Sequence, residues 1–417
     1  MKYNTTSLSN GLRVIHLAST SPVVYCGYEI AAGSACEAAG EEGLAHFCEH
    51  VTFKGTERRN ALQIINTLES VGGDLNAYTT KTDTVYYASL LHEHLPRAVD
   101  VLTDIVFHSI YPQSEINKEV EVICDEIESY NDSPAELIYD DFDNLLFKGH
   151  ELGHNILGTA QNVRSFTTAD ALQFTRKFYL PQNAIFFAYG NIDFRRLVRL
   201  LEKAHGAHEV DPKTADGATQ KPTAQAAHYP DWAQKGTQLT LDKGTHQAHV
   251  MVGNRAYCIH DERRMALYLL NNILGGPGMN ARLNLALRER RGLVYTVEST
   301  MASYDSTGEW CVYLGCDPQD VGTCLRLVRK ELDRLMDKPL SDRQLAKAKR
   351  QIKGQIGVAC DNRENFALDF GKSFLHYGWE KDVEQLFKHI DAITPEAIMQ
   401  VANDIFPAER LSTLIYR

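Results

Sequence analysis

The sequence predicts an α+β fold in which one structural plan occurs twice. Strands and helices follow one another in both halves of the 417 residues, without the strict alternation typical of a parallel sheet. Between the halves, residues 205–237 are rich in Ala, Gly, Pro, Thr and charged side chains, and no apolar period is sustained there. We therefore predict a first domain at 1–210, a linker at 211–236 and a second domain at 237–417.

The two halves present the same elements in the same order. Each opens with a strand, VVYCGYEIAAG or HQAHVMVGNRAY, which is followed by a helix at about 41–54 or 262–274. A second strand follows, TVYYASLL or GEWCVYLGC, and then a helix pair in which Ser114 and Ser341 are predicted to cap the second helix. Each half ends in a strand after an X-Pro turn, within LPQNAIFFAYG and FPAERLSTLIY. Because the spacings differ by a few residues, the repeat is a hypothesis.

Composition argues against several classes of protein. The net charge of −11 disfavours a nucleic-acid binder, which needs a basic face. The sequence contains no run of eighteen apolar residues, so no membrane partner is expected. Its start, MKYNTTSLSNGLRVIHL, is predicted to be the first strand rather than a signal peptide. Nine cysteines without a C-x-x-C pattern indicate a reducing compartment, hence the cytoplasm, and no disulfide framework.

Two stretches carry a pair of histidines four residues apart. The first, GLAHFCEHVTFKGT, contains His46 and His50 with Glu49 between them. The second, FKGHELGHNILGT, contains His150 and His154 and matches the H-E-x-x-H zinc pattern letter for letter. Two such histidines share a metal only when they project from one face of a helix. The helical context therefore decides between the pairs.

That context favours the first pair. Leu44, Phe47, Cys48 and Val51 recur at helical spacing, and Gly55 is placed to end the helix. Cys48 comes two residues after the first histidine and is predicted to face the core rather than a metal. The second stretch has glycines before, within and after its motif, and each interior glycine costs a helix about 1 kcal/mol. We therefore predict a loop without metal there.

A third ligand is expected on the helix after Ser114. Glu119 and Glu126 lie seven residues apart, on one flank of the stripe formed by Ile116, Val120, Ile123 and Ile127. A partly buried carboxylate needs a partner, which is either a metal or, on an ordinary acidic face, arginine or water. The equivalent positions of the second half are Ala346 and Lys353, and its first helix has no histidine. Only the first half therefore carries a metal set.

These residues resemble the pitrilysin-type zinc metallopeptidases, relatives of mitochondrial processing peptidase and insulin-degrading enzyme. His46, Glu49 and His50 match the family's inverted H-x-x-E-H motif, and Glu126 matches its later ligand glutamate. The resemblance implies that Glu119 is the accessory acidic residue. It also implies two repeated α/β-sandwich-like domains of the processing-peptidase type, of which the first binds zinc and the second contacts substrate.

The resemblance implies a zinc-dependent endopeptidase with one Zn²⁺ per chain. His46, His50 and Glu126 are the expected ligands, and bound zinc lowers the pKa of water to about 7. Glu49 suits the role of general base, with Glu119 assisting catalysis. The expected substrates are peptides or unfolded segments.

Two further segments look like the family's substrate-binding parts. In GGDLNAYTTKTDTVYYASL, Asn76 and Ala77 are expected on an exposed strand edge, where a peptide can add as a β-strand. In LNLALRERRGLVYTVES, Arg288 and Tyr295 match the pair that holds the substrate backbone and stabilises the oxyanion. Without the resemblance these two residues are an ordinary helix arginine and strand tyrosine.

Assembly is the remaining expectation. The long members of the family have four domains that enclose a chamber, whereas this chain has two. We therefore expect a homodimer, or a heterodimer with a related chain. Two alternatives stay open: a partner subunit that needs a second chain for activity, and a non-catalytic structural relative.

Overall fold

The computed structural model describes residues 1–206 and 235–417, so residues 211–234 of the predicted linker lie outside the described residues. The described residues form two compact units. The N-terminal unit comprises 1–129, 154–206 and 359–381, and the C-terminal unit comprises 130–153, 235–358 and 382–417. Each predicted half thus supplies most of one unit and one helical segment of the other.

The described residues contain eleven strands and fourteen α-helices. The strands are β1 (Tyr3–Ser7), β2 (Arg13–Ala18), β3 (Val23–Ile30), β4 (Asp74–Thr79), β5 (Thr84–Leu91), β6 (Ala184–Gly190), β7 (Gln238–Leu241), β8 (Ala248–Ala256), β9 (Val294–Ser303), β10 (Gly308–Cys316) and β11 (Ser412–Tyr416). The helices are α1 (Leu44–Thr52), α2 (Ala61–Glu69), α3 (Leu95–His108), α4 (Gln113–Asn131), α5 (Pro134–Leu146), α6 (Ala160–Val163), α7 (Thr168–Phe178), α8 (Phe194–His205), α9 (Arg264–Gly275), α10 (Val321–Asp337), α11 (Asp342–Ala359), α12 (Arg363–Tyr377), α13 (Val383–Ala392) and α14 (Pro395–Ile405).

The sheet of the N-terminal unit has six strands in the order β1-β2-β6-β3-β5-β4. Strands β2 and β6 are parallel, and all other neighbours are antiparallel. The N-terminal stretch, expected as one strand, forms the two strands β1 and β2. Gly11, at φ +88°, supplies the left-handed residue of the turn between them.

The sheet of the C-terminal unit has five strands in the order β7-β11-β8-β10-β9. This order repeats the order β2-β6-β3-β5-β4 of the first sheet. In each set of five strands the first pair, β2 with β6 or β7 with β11, is parallel, and the other neighbouring pairs are antiparallel. The predicted α+β fold with a repeated plan is therefore confirmed.

The N-terminal unit packs helices on both faces of its sheet. On one face lies α1, whose Leu44, Phe47, Cys48 and Val51 belong to the buried core, so Cys48 faces the core as predicted. On the other face α12 packs against β3 and β6. A Cβ atom at Gly371 would lie 2.6 Å from a carboxylate oxygen of Glu29 on β3, so a larger residue at this place would require the Glu29 carboxylate to shift.

The two predicted helix caps have different outcomes. Ser341 precedes α11 and its hydroxyl accepts the backbone N–H of Gln344, as predicted. The prediction for Ser114 is wrong, because α4 begins one residue earlier, at Gln113. There the carbonyl of Pro112 accepts the first backbone N–H groups, including that of Ile116 at 3.0 Å. No helix in the described part of the chain is long and apolar enough to cross a membrane.

Candidate metal centre

Helix α1 presents His46 and His50 on one face, with their ring centroids 4.6 Å apart. The helix begins after Gly43, which has the left-handed φ of +98°. The carboxylate of Glu37 accepts the N–H of Gly43 at 3.0 Å and that of Ala45 at 2.7 Å. A carboxylate that accepts these N–H groups at a helix N-terminus stabilises the helix.

Helix α4 brings Glu126 to the two histidines. Its carboxylate oxygens lie 3.2 Å from Nε2 of His50 and 3.7 Å from Nε2 of His46. One ligand atom from each of the three residues lies within 4.8 Å of the others, and no other such group is found among the described residues. Two imidazoles and a carboxylate form the ligand set of many catalytic zinc sites.

The charges of this group suit a cation. Burial, reinforced by the charge of His50, lowers the pKa of His46 to about 4, so its imidazole is neutral at pH 7. Burial alone would also lower the pKa of His50, but hydrogen bonds to Glu119 and Glu126 outweigh it and raise the pKa to about 9. A metal bound at neutral pH would therefore take the place of a proton on His50. The hydrogen bond with His50 is the main reason that the pKa of Glu126 is lowered.

His46 supplies the observation that tests the fit of a metal. Its Nδ1 is buried without a hydrogen-bond partner among the described residues, and its Nε2 is 3.7 Å from the nearest carboxylate oxygen, beyond hydrogen-bonding distance. A buried polar group without a partner is costly. A cation between Nε2 of His46 and the carboxylate of Glu126 would give that nitrogen a partner, so the residues fit a zinc ion.

We call His46, His50 and Glu126 the metal group. Glu119 is not one of its members but contacts the outer nitrogen of His50. It is buried, and its Oε1 lies 3.1 Å from Nδ1 of His50 while its Oε2 lies 2.6 Å from Nζ of Lys54. A carboxylate on the outer nitrogen of a metal-binding histidine orients the ring and makes it a better ligand. Lys54 was not singled out in the sequence; it lies in the turn directly after α1, four residues after His50.

Glu49 stands between the two histidines in the sequence and is 9% exposed. Its Oε2 accepts a hydrogen bond of 2.6 Å from the Thr79 hydroxyl, which is its sole hydrogen bond within the described residues. Burial is the main cause that raises its pKa above the ordinary value for a carboxyl group. A raised pKa makes a carboxylate a stronger base at neutral pH.

The second histidine pair lies in a segment without helix, as predicted, because residues 147–159 form turns and bends. Gly149 and Gly158 have φ values of +79° and +66°, which disfavour any other residue. Nδ1 of His150 accepts the N–H of Leu152. His154 places Nε2 3.0 Å from Oε2 of Glu37, the carboxylate that caps α1. His154 therefore supports the helix of the metal group without belonging to that group.

The residues predicted to bind substrate are divided between the two units, with one pair in each. Asn76 and Ala77 lie on β4, which is an edge strand within the described residues, pairs there with β5 alone and lies beside α1. In the C-terminal unit, Arg288 lies in a π-helical segment, Asn284–Glu289, and Tyr295 lies at the start of β9. The guanidinium carbon of Arg288 is 5.8 Å from the ring centroid of Tyr295, which is 79% exposed. The structure therefore brings these two residues together.

The sequence matches two family descriptions along most of its length. Residues 13–160 match Insulinase (Peptidase family M16), and residues 165–352 match the Peptidase M16 inactive domain. The first segment contains the whole metal group, and the second contains Arg288 and Tyr295.

Relatives and solved structures extend this similarity to the whole chain. An uncharacterized zinc protease of Streptomyces coelicolor is 34% identical over 403 residues, which cover 96% of this chain and 86% of the relative. The zinc protease YmxG of Bacillus subtilis is 31% identical over 408 residues, covering 97% and 96%. The crystal structure of a protease from Helicobacter pylori has a TM-score of 0.89 at 19% identity, covers 100% of this chain and 99% of that one, and supports the fold alone. From its sequence, the chain belongs to peptidase family M16, the pitrilysin-type zinc proteases, and it spans both domains of that family.

Proposed function

We propose that the chain is a zinc-dependent endopeptidase that hydrolyses peptides or unfolded segments. The observation that carries the proposal is the convergence of His46, His50 and Glu126 within 4.8 Å, with Glu49 on the same helix. One zinc ion per chain would be held by these three residues. When bound, zinc polarises a carbonyl group and lowers the pKa of water to about 7.

Other residues of the chain transfer the proton and orient the zinc-binding imidazole. Glu49 takes a proton from the attacking water and then donates it to the amine that leaves. Glu119 holds Nδ1 of His50, and Lys54 holds Glu119 in turn, so the imidazole keeps its orientation. This arrangement assigns Glu119 an assisting role through His50.

Substrate binding is proposed at the edge of the sheet. In the part of the chain that the structure describes, no strand pairs with the outer side of β4 at Asn76 and Ala77, so an extended peptide can pair there with little sequence preference. Arg288 and Tyr295 are proposed to hold the substrate backbone and to stabilise the negative charge that develops on the carbonyl oxygen.

A homodimer is proposed to form the chamber in which cleavage occurs, in the cytoplasm. The support is the two-domain length, because the long relatives have four domains. The second candidate is a subunit that needs a related partner chain for activity. What favours it is that residues 165–352 match a domain described as inactive, while the metal group lies wholly within 13–160.

The test is zinc content and peptide hydrolysis of the purified chain, alone and as the variant Glu49→Gln. We expect the wild-type chain to bind one zinc ion and to cleave an unstructured peptide, and chelation to abolish cleavage. The variant should keep its zinc, because all three ligands remain, and should lose turnover by at least about 100-fold, since general base catalysis contributes about 10²–10⁴.

Two outcomes contradict the proposal. If the wild-type chain binds zinc but cleaves nothing at any concentration, the chain is not an endopeptidase on its own, and the partner-dependent candidate takes over. If Glu49→Gln cleaves at nearly the wild-type rate, the assignment of the base is wrong.

A further inference from the structure

The carboxylate of Glu49 is held on one side only. Oε2 accepts the Thr79 hydroxyl at 2.6 Å, whereas no protein group among the described residues hydrogen-bonds to Oε1. A glutamate carboxylate rotates about its last torsion with weak preference, so an unrestrained one samples many orientations. The single contact with Thr79 therefore determines which oxygen is left free.

Among the described residues, the nearest acceptor for the proton of the Thr79 hydroxyl is the Glu49 carboxylate at 2.6 Å, and the next is the Thr84 hydroxyl at 3.4 Å. It is the last residue of β4 and lies opposite Thr84 on β5. The Thr84 hydroxyl donates to the carbonyl of Ala32 at 2.8 Å, and its oxygen lies 3.4 Å from that of Thr79. Because each hydroxyl has one proton, Thr84 uses its own on Ala32 and Thr79 uses its own on Glu49.

A separate contact attaches α1 to the sheet without touching Glu49. The buried Tyr86 hydroxyl on β5 donates to the Thr52 hydroxyl at 3.2 Å, and Thr52 donates to the carbonyl of Cys48 at 2.7 Å. This hydroxyl chain ends on the backbone of α1. The sheet therefore holds α1 through Tyr86 and holds the side chain of Glu49 through Thr79.

We propose that Thr79 is a positioning residue for Glu49, which keeps Oε2 occupied and presents Oε1 to the proton that is transferred. This inference rests on the proposed peptidase function. Without the hydroxyl of Thr79, the buried carboxylate of Glu49 loses the one hydrogen bond that it makes within the described residues. It then turns towards other donors, and the imidazole of the adjacent residue, His50, is one of them. The reactive orientation is then populated less often, while the zinc ligands and the strand edge for substrate are unchanged.

The experiment compares Thr79→Val, which keeps the shape and removes the hydroxyl, with Thr79→Ser, which keeps the hydroxyl. Tyr86→Phe is the matched control, because it removes a buried hydroxyl that holds α1 without contacting Glu49. We expect Thr79→Val to lower kcat between about tenfold and 100-fold, as small misplacements of a reacting group do. KM and zinc content should stay at the wild-type values. Thr79→Ser should recover most of kcat, and Tyr86→Phe should lower the unfolding temperature with little change in kcat.

Crystal structures of zinc-loaded wild type and Thr79→Val give a readout that needs no activity. We expect one position for the Glu49 carboxylate in the wild type and a rotated or multiple one in the variant. Thr79→Ala replaces Thr79→Val if the latter does not fold.

The outcomes separate this inference from the proposed function. A wild-type chain that binds zinc and cleaves nothing contradicts the proposed peptidase function. In that case the two crystal structures still test whether Thr79 orients Glu49. An active wild type with equal kcat in Thr79→Val, or a Thr79→Ser variant as impaired as Thr79→Val, overturns the positioning role.

Discussion

At the scale of single residues, three of the four paired histidines lie in the N-terminal unit and have different tasks there. His46 and His50 face Glu126, and the three residues could hold a cation. His154 faces Glu37, whose carboxylate caps the helix that carries the first pair. His154, from the pair with the more familiar zinc motif, therefore supports α1 through Glu37.

The zinc affinities of three variants test this assignment. Glu126→Gln removes a charged ligand and should weaken zinc binding by more than the roughly 10–100-fold cost of changing a residue behind a ligand. His150→Ala is the matched control and should bind zinc like the wild type. His154→Ala should keep the stoichiometry of one zinc ion and lower the unfolding temperature, because Glu37 loses its partner. Titration of the apo-protein measures all three, and loss of binding in either histidine variant would mean that the wrong pair was chosen.

At the scale of elements, α12 is held against the N-terminal sheet by a buried charged cluster. Asp83, in the turn between β4 and β5, is 1% exposed and places Oδ1 2.8 Å from Nε2 of His376 and 3.4 Å from Nζ of Lys372. Burial alone would raise the pKa of Asp83, but the hydrogen bond with His376 and the charge of Lys372 outweigh it and lower the pKa. Glu29 lies against the same helix and its carboxylate has no hydrogen-bond partner among the described residues, and burial raises its pKa.

The variant Asp83→Asn should destabilise the chain by about 1–3 kcal/mol at pH 7, the usual cost of leaving buried polar partners poorly satisfied. A carboxyl whose pKa is lower in the folded state stabilises the fold above its ordinary pKa of 3.8, and this contribution is lost as pH falls below that value. The gap in unfolding temperature between wild type and variant should therefore be constant from pH 7 to about pH 5 and shrink below about pH 4.

Glu29→Gln is the control within the same cluster. Because the pKa of Glu29 is raised in the folded state, its ionisation opposes folding as pH rises above the ordinary 4.5, and its replacement should not lower the unfolding temperature at pH 7. A Glu29→Gln variant as unstable as Asp83→Asn would show that any change in this cluster disrupts the packing of α12. The loss of the Asp83 charge would then not be the cause of the lower stability of Asp83→Asn.

At the scale of the whole molecule, one topology has been used twice with different side chains. The two sheets share the order β2-β6-β3-β5-β4 and β7-β11-β8-β10-β9. The helix that corresponds to α4 is α11, where Lys353 replaces the ligand glutamate and pairs with Asp391 at 2.8 Å. The metal group thus belongs to the N-terminal unit, and the exposed Arg288–Tyr295 pair belongs to the C-terminal unit.

The proposed dimer makes a prediction about complementation. The family resemblance implies that Arg288 and Tyr295 of one copy serve the zinc site of the other. Mixing two inactive variants, Glu49→Gln and Arg288→Ala/Tyr295→Phe, under conditions that let subunits exchange should restore activity. In a mixed dimer the second chain keeps its zinc and its base, and it borrows the intact pair of the first, so random exchange gives about a quarter of the wild-type number of sites.

Native mass spectrometry supplies the control for this experiment. If mixed dimers form and no activity returns, the arrangement between two copies is wrong. A chain that stays monomeric at every assay concentration removes the basis for the prediction altogether.

The sequence by itself indicated most of the helices and strands and favoured His46 and His50 over the second pair, because both inferences depend on spacing along the chain. The choice of Glu126 over an ordinary acidic face came from the family resemblance. Apolar periodicity marks α1 and the buried stripe of α4, while alternation and turn residues mark the strands β5 and β10. His46, Glu49 and His50 lie within five residues, so one helix is enough to align them. The glycines of FKGHELGHNILGT exclude a helix through backbone conformation, which is also a local property.

The tertiary structure alone decided which side chains meet across long stretches of chain. Thr79 reaches Glu49, Lys54 reaches Glu119 and His154 reaches Glu37, and none of these pairs follows from a period or a motif. The same holds for α12, which packs on the N-terminal sheet although it lies in the second half of the sequence. Its apolar face predicts that it is buried, but many sheets can bury such a face, and only the shape of the complete core selects one.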